Sequence, residues 1–209
     1  MSVVEGKLIR TALGEDWNSL PENIRNRFAE NPDIDKPVLY DGNMTEVTTS
    51  WTGKIFAFFS RILGAPLLPY SGTNVPIDVK VFSDPGTDDV IKQRTYHFPG
   101  KKPFTVHSRM TLNAKEEFLE CVGMGLAMRM DIFAKDDALH FQSTGYSWTC
   151  GKFTVNIPLF MTPGSTHITH TDIDDERFQV KIEMIHPWFG TMFLQDGVFK
   201  ERISAAENV

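Results

Sequence analysis

The chain has 209 residues, 41% hydrophobic and 23% charged, with a net charge of -6 at pH 7. That length suits one domain, 1–209, and that composition supports a sizeable core and excludes a disordered chain. No basic block is longer than Lys101-Lys102, so binding to nucleic-acid phosphates is not expected, nor is attraction to an anionic membrane.

Residues 1–17 lack the apolar stretch of a secretion leader and are expected to fray. No run of about 18 apolar residues occurs, so no transmembrane span is expected and the default location is cytoplasmic. Ser19-Leu20-Pro21-Glu22 reads as a capping box, with Ser19 as N-cap. Leu20, Ile24 and Phe28 then share one helical face, and Asn31-Pro32 stops that helix near Glu30. Met44–Ser50 reads as a first strand. The second helix is expected over 53–63, with Ile55, Phe58, Phe59 and Ile62 as its stripe, a left-handed cap at Gly64 and a stop at Pro66. Phe56 and Ala57 widen the stripe. This helix is therefore buried on two sides or touches something apolar outside the domain.

From Val75 to Phe199 apolar and polar residues alternate in segment after segment. Ile77, Val79 and Val81 show the period of two, as do Phe104, Val106, Ser108, Met110 and Leu112. Strands are expected near 76–82, 90–98, 103–112, 117–122, 126–134, 138–148, 152–157, 166–172, 177–185 and 189–200. Short turns join them, so sequence neighbours pair. The fold class is mainly β (α+β): an antiparallel meander of about nine or ten strands, behind two short helices, curling into an open or closed barrel-like sheet. The end of the chain is too short and polar for the long helix of a helix-grip fold, and 204–209 are expected to fray.

Cys121 and Cys150 show no metal-ligand spacing and read as reduced thiols in or near the core. His167 and His170 fall on opposite faces of a strand, which argues against a metal site. No P-loop, GxGxxG or GxSxG element is present, and nothing calls for a metal or a cofactor. His107 and Arg109 share one side of their strand, Arg129 and Asp131 of theirs, and His140, Gln142, Thr144, Tyr146 and Trp148 of the long strand. If this face is concave, His107, Asp131, His140 and Tyr146 are candidate acid/base groups and Arg109 and Trp148 candidate ligand contacts. If it is convex, the same residues form a solvated face with cross-strand charge pairs, the commoner outcome for such residue types. The opposite faces carry Met110, Met128, Met130, Met184 and Met192, which serve equally as ordinary core or as the plastic wall of an apolar cavity.

The order of several short motifs is similar to that of a bacterial family, Domain of Unknown Function 4166. These are Leu20-Pro21-Glu22-Asn23-Ile24-Arg25, Arg61-Ile62-Leu63-Gly64-Ala65-Pro66, Val75-Pro76-Ile77-Asp78-Val79 and Arg94-Thr95-Tyr96-His97-Phe98. Phe118-Leu119-Glu120-Cys121-Val122-Gly123, Ile157-Pro158-Leu159-Phe160 and His186-Pro187-Trp188-Phe189-Gly190 complete the set, over about residues 20–200. The resemblance implies a β-rich domain and adds Arg94 and Glu120 as candidates, either as a structural ion pair or as ligand contacts. Relatives fused to dehydrogenase-like domains imply a separately encoded redox enzyme as a partner.

Three functions follow. The first is a module that binds an apolar small molecule or acyl chain, lined by Phe56, Phe59, Arg94, Arg109, Glu120, Met128, Met130 and Trp148. The second is a cofactor-independent isomerase, cyclase or hydrolase. The third is a protein-docking domain using helix 53–63.

Overall fold

A computed structural model describes residues 7–29, 32, 36–62, 64–65, 67–87, 89–113 and 115–202. Eleven antiparallel strands form its one sheet: β1 (Val38–Thr49), β2 (Gly72–Ser83), β3 (Val90–Tyr96), β4 (Phe104–Leu112), β5 (Phe118–Gly123), β6 (Leu126–Lys135), β7 (Ala138–Cys150), β8 (Phe153–Ile157), β9 (Ser165–Asp172), β10 (Arg177–His186) and β11 (Gly190–Glu201). The order is β6-β5-β4-β3-β2-β1-β11-β10-β9-β7-β8, and β6 also pairs with β7. Ten strands therefore close into a barrel, with β8 as a spur.

Two junctions make the closure. Tyr40 to Thr49 of β1 pair with β11 down to Phe193. The long β7 serves two neighbours on its far side: its first half, Ala138–Gln142, pairs with β9, and its second half, Tyr146–Cys150, pairs with β8. Sequence neighbours pair everywhere except between β8 and β9, where the turn of helix at Leu159–Met161 returns the chain to β7. Turn chemistry sets the registers. Asp136 and Asp137 both hold positive φ in the two-residue turn that pairs Lys135 with Ala138, which matches the twist of a tight hairpin.

The barrel ends differ. At one end lie α1 (Lys7–Leu13), a 310 turn (Gly14–Ser19) and α2 (Glu22–Phe28). Leu8, Ile9, Leu13, Trp17, Leu20 and Ile24 pack with Met110, Phe118, Met130, Leu139 and Phe141 of the barrel interior, and so plug this end. The expected frayed start holds at most for residues outside the described ones: from Lys7 the chain is helical and part of the core. The expected capping box does not form. Ser19 Oγ donates backward to the Asp16 carbonyl, and α2 starts after Pro21 with no side-chain cap. Leu20 is extended and buried, which pulls Ser19 out of capping position.

At the other end lies α3 (Trp51–Ile62), closed by Gly64 at φ 66°. It is not buried on two sides. Ala57 is buried with Met192 and Phe193 of β11, and Phe56 is half-buried, whereas Ile55, Phe58 and Phe59 of the expected stripe are exposed. No described helix is long and apolar enough to cross a membrane. Cys121 is half-buried, while Cys150, expected in or near the core, is exposed at the β7–β8 turn, and both are free.

Candidate functional site

A barrel of about eight strands is just filled by its own side chains, so ten strands leave interior space. Here that space forms two lobes that share Arg94, Tyr96, Ile168, Ile182 and Gln195 as walls. The smaller, about 150 Å³, lies toward the helical plug among Tyr40, Val79, Phe178 and Phe199. The larger, about 480 Å³, reaches α3 and is walled by Phe56, Phe59, Leu68, Met128, Tyr146 and Met184. Its volume falls in the range of about 300–1,000 Å³ usual for small-molecule sites.

Inward positions on β3, β4 and β5 bring a charged cluster to the junction of the lobes. Strand alternation aims Val90, Lys92, Arg94 and Tyr96 the same way, and pairing of β3 with β4 and of β4 with β5 sets Ser108 and Glu120 beside them. Arg94 donates to Ser108 Oγ at 2.6 Å and to Glu120 Oε1 at 3.1 Å. Lys92 Nζ lies 3.4 Å from the same oxygen. Burial alone would raise the Glu120 carboxyl, but Lys92 and Arg94, with hydrogen bonds from Ser108 and Lys92, hold it down at about 2. Burial pushes the Lys92 ammonium down, against the pull of Glu120. Glu120 Oε2 and Arg94 Nε are buried with no hydrogen-bond partner among the described residues. Two cations thus face one carboxylate at the junction of two mostly apolar lobes. Across it, Tyr96 donates to Gln195 Oε1 at 2.6 Å. Nearer the plug, Arg27 pairs with Asp172 at 2.7 Å and lies over the Phe178 ring. His170 sits among Phe28, Phe141 and Phe178. Burial, then the cations Lys92 and Arg27, push His170 down to about 3, so it is neutral.

The acid/base candidates are not brought together. His107 and Asp131 stand on the outer wall, exposed. His140 is also outside, stacked on Phe133 and 3.0 Å from His167 Nε2. Tyr146 alone faces inward. A register shift after Arg129, across from Ser143–Gly145, reverses the alternation of β7. Its hydroxyl donates to the Gly164 carbonyl at 2.6 Å and meets Thr166 Oγ1 at 2.8 Å.

Among the ligand-contact candidates, Phe56, Phe59, Arg94, Glu120 and Met128 all wall the larger lobe. Met130 packs in the core beneath the plug. Arg109 is on the outer wall, bound to Asp84 at 3.0 Å. Trp148 is at the rim, donating to the Met124 carbonyl at 3.0 Å. Sequence reasoning passed over Lys92 and Gln195, and weighed His170 only as a metal ligand. The alternation Val90-Lys92-Arg94-Tyr96 carried the signal for Lys92, since it places two cations on a face bounded by a valine and a tyrosine.

The family model described as Domain of unknown function (DUF4166) matches residues 20–199. The chain belongs to this family. No curated protein and no solved structure matches it. Within this DUF4166 member, Arg94 and Glu120 fall in two of the motifs that carried the resemblance and meet across β4 as an ion pair.

Proposed function

We propose that this DUF4166 barrel holds an amphipathic small molecule, with an acyl-like apolar body in the larger lobe and an anionic head group at Arg94 and Lys92. The supporting observation is the composition of the chamber: mostly apolar walls, with a charged cluster at the junction of the two lobes in which two cations face one carboxylate. An isolated buried charge is costly, and a second anion entering beside Arg94 would balance the cluster. Arg94 Nε, which has no partner among the described residues, supplies a donor for it.

A naturally fluorescent polyene fatty acid and its methyl ester separate the two parts of this reading. The acid should bind saturably at one equivalent. The ester keeps the apolar body but loses the charge, and should bind about tenfold more weakly, the worth of one charge-assisted hydrogen bond. Equal affinity for acid and ester would remove the head-group assignment, and failure of both to bind would remove the cavity reading.

A further inference from the structure

At the barrel end that the larger lobe reaches, which we call the mouth, large apolar side chains are exposed to solvent. Trp51 and Phe58 extend from α3, Met124 from the β5–β6 turn, Phe153 from the start of β8 and Trp188 from the β10–β11 turn. Phe153 is 79% exposed and Trp188 70% exposed. These segments are contiguous. Trp148 reaches the Met124 carbonyl, Phe160 stacks on Trp188 at 5.3 Å, and His186, beside Trp188, contacts Phe56 of α3. Three of the four tryptophans of the chain, Trp51, Trp148 and Trp188, stand on this rim.

The charges divide the same way. Antiparallel pairing puts segments 51–62, 97–103, 123–125, 148–161 and 186–191 at the mouth end. They contain Lys54, Arg61, Lys101, Lys102 and Lys152, all exposed, and not one of the 27 Asp and Glu residues. The turns at the plug end carry Asp84, Asp89, Glu116, Glu117, Asp136, Asp137, Asp174, Asp175 and Glu176 against one base, Lys115. The net charge of -6 conceals a molecule with one acidic end and one basic, apolar end.

We infer that the mouth docks on the surface of a lipid bilayer containing anionic lipids. Basic charges beside exposed tryptophan, phenylalanine and methionine match the two attractions such a surface offers, charge outside and hydrocarbon beneath. Tryptophan suits the boundary because its ring is apolar and its N–H polar. The end-to-end charge separation turns the mouth toward an anionic surface during approach. The apolar contacts come from the tips of separate turns around an opening, an arrangement that a fluid layer can surround. Docked this way, the larger lobe opens into hydrocarbon, and an apolar molecule passes in without crossing water. The docking itself does not depend on what the cavity holds.

The test is flotation of the full chain with vesicles of phosphatidylcholine alone or mixed with phosphatidylglycerol. Protein should float with the mixed vesicles, with bluer tryptophan emission. Binding should fall at least about tenfold with neutral vesicles or at high salt. The variants Phe58→Ser/Phe153→Ser/Trp188→Ser and Lys54→Glu/Lys101→Glu/Lys152→Glu should each lose binding by a similar factor. Their substituted side chains do not wall the lobes, so circular-dichroism melting and fatty-acid binding in the absence of vesicles should be unchanged. Absence of the wild-type protein from floated vesicles of either kind would overturn the inference, as would flotation that both variants retain. A wild-type dimer that the aromatic variant converts to monomer would overturn it too, by assigning the face to a second copy. Because fatty-acid binding is read separately, failure of either proposal leaves the other standing.

Discussion

Glu120 of β5 and His170 of β9 both face the barrel interior, and Lys92 acts on each of them. Lys92 and Arg94 keep Glu120 ionised despite burial, and Lys92 and Arg27 reinforce burial in keeping His170 neutral. Both effects act against acid. His170 titrates at about 3 in the fold against 6.5 in a free chain, so below pH 6.5 the unfolded chain takes up a proton that the folded one refuses, and stability falls from 6.5 toward 3. Glu120 titrates at about 2 against 4.5, so its contribution is present above 4.5 and is lost between 4.5 and 2. The contact with His140 on the outer wall adds to burial in lowering His167, with the same sign as His170 but in a more solvated setting. Between pH 6.5 and 4.5 the His170 effect amounts to about 2–3 kcal/mol. Urea midpoints should therefore drop steeply over that window in the wild type and stay nearly level in His170→Phe, which keeps the aromatic contacts. Parallel slopes in the two proteins would show that His170 is protonated in the fold. None of this was legible from the histidine itself. Alternation put His170 and His167 on opposite faces, correctly, but which face was inside depended on pairings far along the chain.

The strands themselves were the most legible part of the molecule, because a half-buried antiparallel strand writes its period of two directly into the residues. Ten expected strands fall within a few residues of observed ones, from β2 to β11. The β7 irregularity carried a signal that alternation alone overrode: one unpaired residue, Thr144, moves Tyr146 from the outer set to the inner, and Gly145 beside it is the isolated strand glycine that marks a bulge. The first helix was missed for a different reason. Seven residues, Lys7–Leu13, are too few to form a stable helix alone, and it is held by burial of Leu8, Ile9 and Leu13 on the barrel. α3 was recognised, and its broad apolar circumference left two seatings open, burial on two sides or an apolar face turned out of the domain; the exposed Ile55, Phe58 and Phe59 fit the second. What fixes α3 in place is its end. Gly123, at φ 134°, lets the β5–β6 turn lie against the carbonyl of Gly64, and a Cβ there would overlap that carbonyl. Gly123→Ala should cost about 1–3 kcal/mol through strain and displacement of α3. Thermal unfolding gives the loss, and faster proteolysis within 51–62 would locate it. An unchanged melting temperature would mean that the turn does not brace the helix.

Closure turns these elements into a container. β1 meets β11 and β6 meets β7, so no strand of the ten-membered ring has a free edge, and the inner face must be filled by side chains, by the helical plug or by a guest. The plug fills one end. At the other the wall residues of the larger lobe are mostly apolar, and the ring of turns around it is basic and aromatic. The sequence foresaw a curled sheet with a methionine-rich face, and Met110, Met128 and Met130 do lie inside. It could not foresee the polarity of the whole, because a summed charge of -6 says nothing about which end carries it. Native mass spectrometry of the purified protein incubated with a series of free fatty acids addresses the container function. One equivalent should remain bound in the gas phase for chains that fit the larger lobe, and Met128→Trp, which fills that lobe, should retain none. A protein that carries no adduct with any chain length, or a Met128→Trp variant that binds as the wild type does, would contradict a ligand seated inside the barrel.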